Sequence, residues 1–158
     1  MKKFILLLLL APFSCIAAAP FGLKWGDEFL HFGEAIKTGS WVTVKTTQLP
    51  QGNLSAEYYL LEGEEKSGLT KVHMKSFEYT LFSKQLDSDF AKFESSLLDN
   101  GFRVKSFTNR NTSSYQCIFQ GKCTGRKLEA VHDDGTKAIL EVKVKDRDTG
   151  YFSLEYFI

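Results

Sequence analysis

Apolar and polar residues largely alternate between residues 137 and 158, on either side of a turn sequence. One parity carries the apolar side chains of Leu140, Val142, Val144, Phe152, Leu154, Tyr156 and Ile158, and the other carries those of Glu141, Lys143, Lys145, Ser153 and Glu155. Successive side chains of a strand point to opposite faces of a sheet, so this pattern predicts two strands joined by a turn at residues 146–150. One face is expected to be buried and the other solvated, as in an antiparallel sheet.

Most of the remaining chain is also typical of strands and turns. Strand-forming residues predict strands at 41–46, 56–62, 102–108, 113–119 and 127–132, with a further run over 69–82 that is bent or broken. The 127–132 strand is joined to the next by Asp133-Asp134-Gly135, a turn sequence. The C-terminal part is therefore expected to form a three-strand meander.

Two segments have helical spacing of their apolar residues. Residues 88–100 place Phe90, Phe93, Leu97 and Leu98 on one face, with Asp87 or Ser88 as the cap and Gly101 as the stop. Residues 27–37 form a weaker candidate, because Gly33 in its middle disfavours a helix. The predicted fold is α+β, with two helices packed on a mostly antiparallel sheet.

The two halves of the chain show a faint similarity to each other. Each has a helix end followed by a glycine, an aromatic residue and a strand, which aligns Val44 with Val104, and Tyr58 aligns with Tyr115 further on. The alternative is that any two such segments share this pattern. A tandem α-β-β-β unit, with subrepeats at residues 20–84 and 85–158, is one interpretation.

The N-terminus has the three parts of a secretory signal peptide. Lys2 and Lys3 precede an uncharged apolar run that is too short to span a bilayer, and a run of three alanines, 17–19, follows. We predict that residues 1–19 are removed, by a cut after Ala18 or a neighbouring alanine, and that residues 20–158 form one periplasmic or secreted domain. Pro20 makes the bond after Ala19 a poorer site. Acylation of Cys15, as in a lipoprotein, is the less favoured alternative.

The charge balance excludes strong binding to polyanions. The whole chain carries 20 Lys and Arg against 19 Asp and Glu, a net charge of +1, and removal of Lys2 and Lys3 makes it −1. Nucleic-acid binding needs a stronger positive field. We therefore expect no nucleic-acid partner. We also expect no membrane span, because no stretch of the sequence approaches the roughly 20 apolar residues that one needs.

Cys117 and Cys123 flank a turn at Gln120-Gly121. In an oxidising compartment two cysteines across a tight turn most simply form a disulfide. A metal site that adds His132 and Asp133 is the alternative, but the spacing matches no familiar zinc pattern. We predict the disulfide, no metal and no cofactor.

The opening Phe21-Gly22-Leu23-Lys24-Trp25-Gly26, with Gly68-Leu69-Thr70-Lys71-Val72 further on, resembles a loose group of small exported bacterial proteins. The predicted architecture of helix and antiparallel sheet is similar to that of the outer-membrane assembly lipoprotein BamE and of the β-lactamase inhibitory protein. That resemblance implies binding to a partner protein. The lipid-bearing cysteine of the assembly lipoproteins is missing, so the resemblance does not imply a membrane anchor.

Catalytic patterns are weak throughout the sequence. The three histidines, His31, His73 and His132, lack a neighbouring nucleophile motif, and Asp148-Thr149-Gly150 is a single copy of a motif that aspartic proteases need twice. A small secreted hydrolase using His132 stays an alternative, and so does a carrier for a small apolar ligand.

Aromatic residues exceed what one core needs, with Trp25 and Trp41 among them. Tyrosine and tryptophan often anchor protein interfaces. The favoured function is thus a non-enzymatic protein-binding module of the bacterial envelope, of the inhibitor, immunity or assembly-factor type, that uses a sheet face or a hairpin loop. A second helix or the other half-sheet could instead cover these side chains. The candidate binding residues are Tyr58, Tyr59, Tyr115, Tyr151 and Phe157.

Overall fold

The computed structural model describes residues 18–53, 55–81, 83–108 and 126–158. Within these ranges the chain forms one α-helix, two short 3-10 helices and nine strands. The 3-10 helices are Pro20–Gly22 and Leu30–Phe32, and α1 is Lys84–Asp99. The strands are β1 Glu34–Thr38, β2 Trp41–Thr46, β3 Ala56–Glu64, β4 Gly68–Ser76, β5 Tyr79–Thr80, β6 Arg103–Thr108, β7 Lys127–Val131, β8 Lys137–Val144 and β9 Thr149–Phe157.

All nine strands belong to one antiparallel sheet. Its order is β1-β2-β3-β4-β9-β8-β7-β6, and β5 pairs with the start of β9 beside β4. Among the described residues the sheet thus consists of two sets of four antiparallel strands, β1–β4 and β6–β9, whose last strands, β4 and β9, pair with each other at the centre. Of the strands that the structure describes, β1 and β6 come at the two ends of this order and occupy matching positions in the two sets. The sequence similarity that aligns Val44 with Val104 would instead match β2 to β6. These two strands hold different positions in the sheet, since β2 is second from one end of the order and β6 is at the other end.

The prediction of two helices on the sheet is wrong, because the described residues contain a single α-helix. Residues 27–37 contain the 3-10 turn Leu30–Phe32 and most of β1, which pairs with β2 over five residues. Gly33 lies so close to β2 that a Cβ there would be 2.3 Å from the carbonyl oxygen of Lys45. Pairing with β2 overrides the helical spacing of the apolar residues.

Helix α1 begins four residues before the predicted start. Ser83 caps it, since its side-chain oxygen accepts a 3.2 Å hydrogen bond from the backbone N–H of Leu86. Gly101 follows the end of the helix with φ at +84°, as its predicted role as a stop requires. The buried side chains of α1 include Phe90, Phe93 and Leu97, whereas Leu98 is half exposed.

The core lies on one side of the sheet, which we call the core face. It is lined by alternate residues of the strands, among them Val44, Leu61, Met74, Leu140 and Leu154. Two segments form the second layer over it. One is α1, whose Phe93 ring lies 4.9 Å from that of Phe152. The other is the segment of residues 19–32, whose Phe21 ring contacts Tyr59 at 5.0 Å and Tyr156 at 5.9 Å.

The N-terminal segment is joined to the sheet by hydrogen bonds as well as by apolar contacts. Its backbone pairs with the start of β4, since Gly26 donates to Leu69 and Leu69 donates to Asp27. The buried indole of Trp25 donates a 3.2 Å hydrogen bond to the hydroxyl of Thr136, which precedes β8. In the described part of the chain, no helix is long and apolar enough to cross a membrane.

Candidate functional site

The candidate site is the side of the sheet opposite the core, which we call the outer face. The strand register places its side chains in rows that run across the strands. One row is Lys45, Leu60, His73, Glu155, Ile139 and Glu129, and the next is Tyr58, Lys75, Ser153, Glu141 and Lys127. Helix α1 and the segment of residues 19–32 both pack on the core face.

Lys75 is the centre of a cluster of aromatic and charged side chains on the outer face. Its ammonium lies 4.7 Å from the ring centroid of Tyr151 and 5.5 Å from that of Tyr58. Glu57 pairs with the same ammonium. The ammonium of Lys45 lies 4.3 Å from the Tyr58 ring. We call these five residues the Lys75 cluster.

The strand register explains how the cluster forms. Tyr58 on β3 lies directly opposite Lys75 on β4, and Lys75 lies opposite Ser153 on β9, two residues from Tyr151. A register irregularity between Ala56 and Tyr58 accommodates the extra residue Glu57 at this point of the sheet. The Lys75 side chain is only 13% exposed although it is on the outer face. Its contacts with two rings and one carboxylate favour this position of the ammonium, and the same contacts favour the observed positions of the two rings.

His73 lies in the middle of the outer face, between Leu60 and Glu155 of the neighbouring strands. Its Nε2 is buried and has no hydrogen-bond partner among the described residues. Burial lowers the pKa of His73 below its usual value of 6.5, as do Lys143 and Lys71, whereas Glu155 opposes this effect. Glu155 is in turn shared by Lys71 at 3.3 Å and Lys143 at 4.0 Å.

The structure brings two of the predicted binding residues together and separates the others. Tyr58 and Tyr151 are both half-buried members of the Lys75 cluster. Phe157 is on the same face but lies at the other end of β9 from Tyr151, with the Lys137 ammonium 5.7 Å from the centroid of its ring. Tyr59 is 1% exposed in the core and contributes no side-chain surface. Tyr115 lies outside the described residues.

The position of Tyr59 follows from strand parity. Neighbouring residues of a strand point to opposite faces, so Tyr58 and Tyr59 could not both be on the outer face. The Tyr59 hydroxyl bonds to the backbone N–H of Asn53, and burial raises the pKa of this phenol although that bond opposes the effect. The two tryptophans also differ in exposure. Trp25 is buried, whereas Trp41, at the start of β2 on the outer face, is 39% exposed.

Sequence reasoning missed Lys75, Lys45 and His73 as members of this surface. None of them has a local signal, because a lysine or a histidine in a strand is usually an ordinary solvated residue. Only the register of β4 against β3 and β9 makes Lys75 a neighbour of both tyrosines.

The residues with the strongest local resemblance to catalytic or metal sites are in turns. His132 Nδ1 lies 2.9 Å from Asp134 Oδ1 in the turn between β7 and β8. Asp146 Oδ1 accepts hydrogen bonds from the backbone N–H groups of Asp148 and Thr149, which is an Asx turn. Among the described residues, no three His, Cys, Asp or Glu side chains are grouped to hold a metal ion.

The predicted disulfide between Cys117 and Cys123 lies outside the described residues, and so does the predicted strand at 113–119. The resemblance to BamE and to the β-lactamase inhibitory protein stays an expectation based on the sequence pattern. No family model, curated protein or solved structure matches this chain.

Proposed function

We propose that this chain is an exported, non-enzymatic module of the bacterial envelope that binds another protein through the outer face of its sheet. The observation that carries the proposal is the Lys75 cluster, where Tyr58 and Tyr151 stand on the face opposite the core. Export rests on the basic and apolar N-terminus of the sequence.

Tyrosine at the centre of a rigid surface favours protein binding for a physical reason. A tyrosine offers a large contact area with few rotatable bonds, so holding it in one conformation costs little entropy. In the Lys75 cluster the ammonium groups of Lys45 and Lys75 lie against the two rings, and contacts of this kind favour the observed ring positions by about 0.5–1 kcal/mol each. Binding of a partner to these rings would therefore cost less side-chain entropy than binding to tyrosines that rotate freely.

The charges of the outer face suit a protein partner better than a polyanion. Lys75 is paired with Glu57, Lys71 with Glu155 and Lys145 with Glu78. The two rows together carry three lysines and three glutamates, so neither sign dominates. Leu60 and Ile139 add half-buried apolar area between them. A mixed surface with aromatic anchors is the usual composition of a protein–protein interface.

Site-specific photo-crosslinking in the host cell tests the proposal. A photoreactive phenylalanine analogue replaces Tyr58 or Tyr151 in two separate variants, and Ser95, exposed on α1, carries it in the matched control. We expect the two outer-face positions to yield the same discrete adduct and position 95 to yield none. A Tyr151→Ser substitution should then abolish the adduct formed from position 58.

Two results would refute a binding role for the outer face. One is the absence of any adduct from positions 58 and 151 in cells where the protein is folded and exported. The other is an adduct of equal yield from position 95. Circular dichroism of each purified variant checks that the fold is intact.

A further inference from the structure

Strand β1 lies at one end of the described strand order and exposes all of its residues. It pairs with β2 in unbroken register from Glu34 to Thr38. The pairing of β6, at the other end of the described order, is irregular between Val104 and Ser106. A regular edge can pair with a further strand, whereas a bulge disfavours such pairing. Of these two strands, β1 is therefore the better suited to strand addition.

The hydrogen bonds of the sheet leave backbone groups of Ala35 and Lys37 without a partner on one side. The carbonyl of Ser40 accepts a 3.3 Å hydrogen bond from the N–H of Glu65, so the even-numbered residues of β2 bond towards β3 and the odd-numbered ones towards β1. The β1 partners of those odd-numbered residues are Glu34, Ile36 and Thr38. Ala35 and Lys37 therefore direct their N–H and carbonyl groups away from β2, where no described strand pairs with them.

The side chains of β1 leave this edge open to pairing. A lysine often protects an edge strand, but the ammonium of Lys37 lies 2.9 Å from Glu65 Oε1, on the far side of β2. Ile36 is 67% exposed on the outer face, opposite Thr43 of β2. Trp41, two residues before Thr43, adds exposed apolar area on the same face. An edge strand that exposes a large apolar side chain favours contact with another strand.

We propose that β1 pairs antiparallel with β1 of a second copy of this chain, with Ile36 of the two copies directly opposite each other. Ala35 of each copy then forms a hydrogen-bonded pair with Lys37 of the other, so every outward N–H and carbonyl of these residues gains a partner. Each copy supplies one β1, so two-fold symmetry closes the assembly at a dimer. Both outer faces lie on the same side of the joined sheet, and the dimer does not depend on what they bind.

The backbone and the charges select this register. A shift by one residue would set the outward groups of one copy against residues whose groups already bond to β2. A shift by two residues in one direction would set Lys37 opposite Lys37, and like charges directly opposite are unfavourable. A shift by two in the other direction would set Ile36 opposite Glu34. In the proposed register Lys37 is opposite Ala35 and Glu34 is opposite Thr38, so no two charged side chains are directly opposite.

Sedimentation velocity of the natural chain, purified from the cells that express it, tests for the dimer. The interface is small, so we expect the average mass to rise from monomer towards dimer between about 10 µM and about 1 mM. Ala35→Pro removes an outward N–H and keeps the bonds to β2, and it should stay monomeric. Ile36→Lys sets two like charges at the symmetry axis and should also stay monomeric.

Ser95→Lys is the matched control, because it adds the same charge at an exposed position of α1. It should dimerise like the natural chain. A natural chain that is monomeric throughout would overturn the proposal. So would dimers of undiminished affinity from Ala35→Pro and Ile36→Lys with an intact circular dichroism spectrum.

A cysteine crosslink tests the register and the identity of the partner. The Cα atoms of a non-hydrogen-bonded antiparallel pair are about 4.5 Å apart, within the range of a disulfide. Ile36→Cys should therefore form a disulfide between two copies on mild oxidation. Glu34→Cys should not, since the two cysteines would lie more than about 10 Å apart on opposite sides of the axis.

Peptide mapping of the crosslinked product must find position 36 in both halves, because the chain also has natural cysteines. Equal crosslinking of the two variants, or a crosslink from position 36 to a different protein, would overturn the proposal. A dimer whose positions 58 and 151 give no photo-adduct would refute the binding role of the outer face and leave the dimer standing.

Discussion

The hydroxyl of Tyr79 donates a 3.0 Å hydrogen bond to Oδ2 of Asp89 and so joins strand β5 to helix α1. Asp89 is 6% exposed, and its carboxylate also accepts hydrogen bonds of 2.8 Å from Gln85 and from Lys92. Burial acts to raise the pKa of Asp89, but the bonds from Lys92, Gln85 and Tyr79 outweigh it and hold the pKa below the usual value of 3.8. The helix is thus fixed to the sheet by a buried carboxylate as well as by its apolar side.

Replacing Asp89 by Asn should lower the free energy of unfolding by about 2 kcal/mol near neutral pH, because hydrogen bonds to a buried charge are lost or weakened. Since the pKa of Asp89 is lower in the folded chain than in the unfolded chain, the carboxylate stabilises the fold above about pH 4 and stops doing so as the pH falls through the folded-state pKa. Urea unfolding of both proteins over this pH range measures the difference.

Asp87→Asn is the matched control on the same helix. Asp87 is 60% exposed and pairs with Arg126 at 2.9 Å on the surface. A pair of this kind contributes at most about 1 kcal/mol. Equal losses of stability in the two variants would contradict the role assigned to Asp89.

The buried hydrogen bond from Trp25 to Thr136 should be needed for full stability. Thr136→Val keeps the shape of the side chain but leaves the indole N–H without an acceptor, which should cost about 1–3 kcal/mol. A double-mutant cycle with Trp25→Phe isolates this bond, because Thr136→Val should cost far less when the indole is already absent. Costs that simply add in the double variant would show that the bond contributes nothing.

Gly68 and Gly39 both have positive φ, at +75° and +65°, but only Gly68 lies against another segment. A Cβ at Gly68 would be 2.1 Å from the carbonyl oxygen of Gly26, whereas a Cβ at Gly39 would meet nothing within 4 Å. Gly39→Ala should therefore cost about 1–2 kcal/mol of backbone strain. Gly68→Ala should cost at least about 3 kcal/mol, since the clash adds to the strain. Similar thermal midpoints for the two variants would contradict this contact between the N-terminal segment and β4.

Most of the described strands were predictable because their signal is local; β1 was not. Alternation along residues 137–158 correctly placed Leu140 and Phe152 on the core face and Glu155 on the outer face. Ile158 is an exception, since it is 61% exposed beyond the end of β9. The helix predicted at residues 27–37 is wrong because the helical spacing of the apolar residues competes with pairing to β2. The outcome of that competition depends on the tertiary structure.

The candidate site was predictable only in part. Local aromatic content indicated Tyr58 and Tyr151 as binding residues. Strand parity alone would have excluded Tyr59 from the face that carries Tyr58. The Lys75 cluster depends on the pairing of β4 with β9, which joins residues from the two halves of the chain. No local pattern specifies which strands of the two sets pair at the centre of a sheet, so Lys75 could not be identified from the sequence.

His73 should make the folded chain less stable as the pH falls below neutral. Its pKa is lower in the folded chain than in the unfolded chain, chiefly because of burial. Between about pH 7 and the folded-state pKa, the unfolded chain therefore takes up a proton that the folded chain does not. The free energy of unfolding falls by up to about 1.4 kcal/mol for each pH unit in this range. His73→Gln cannot titrate, so its stability relative to the natural chain should rise as the pH is lowered from about 7 to about 5. Urea unfolding across this range measures the effect, and a proton NMR titration of His73 locates its pKa directly. A midpoint at or above 6.5, or parallel stability profiles for the two proteins, would contradict the buried, neutral state of His73 on the outer face.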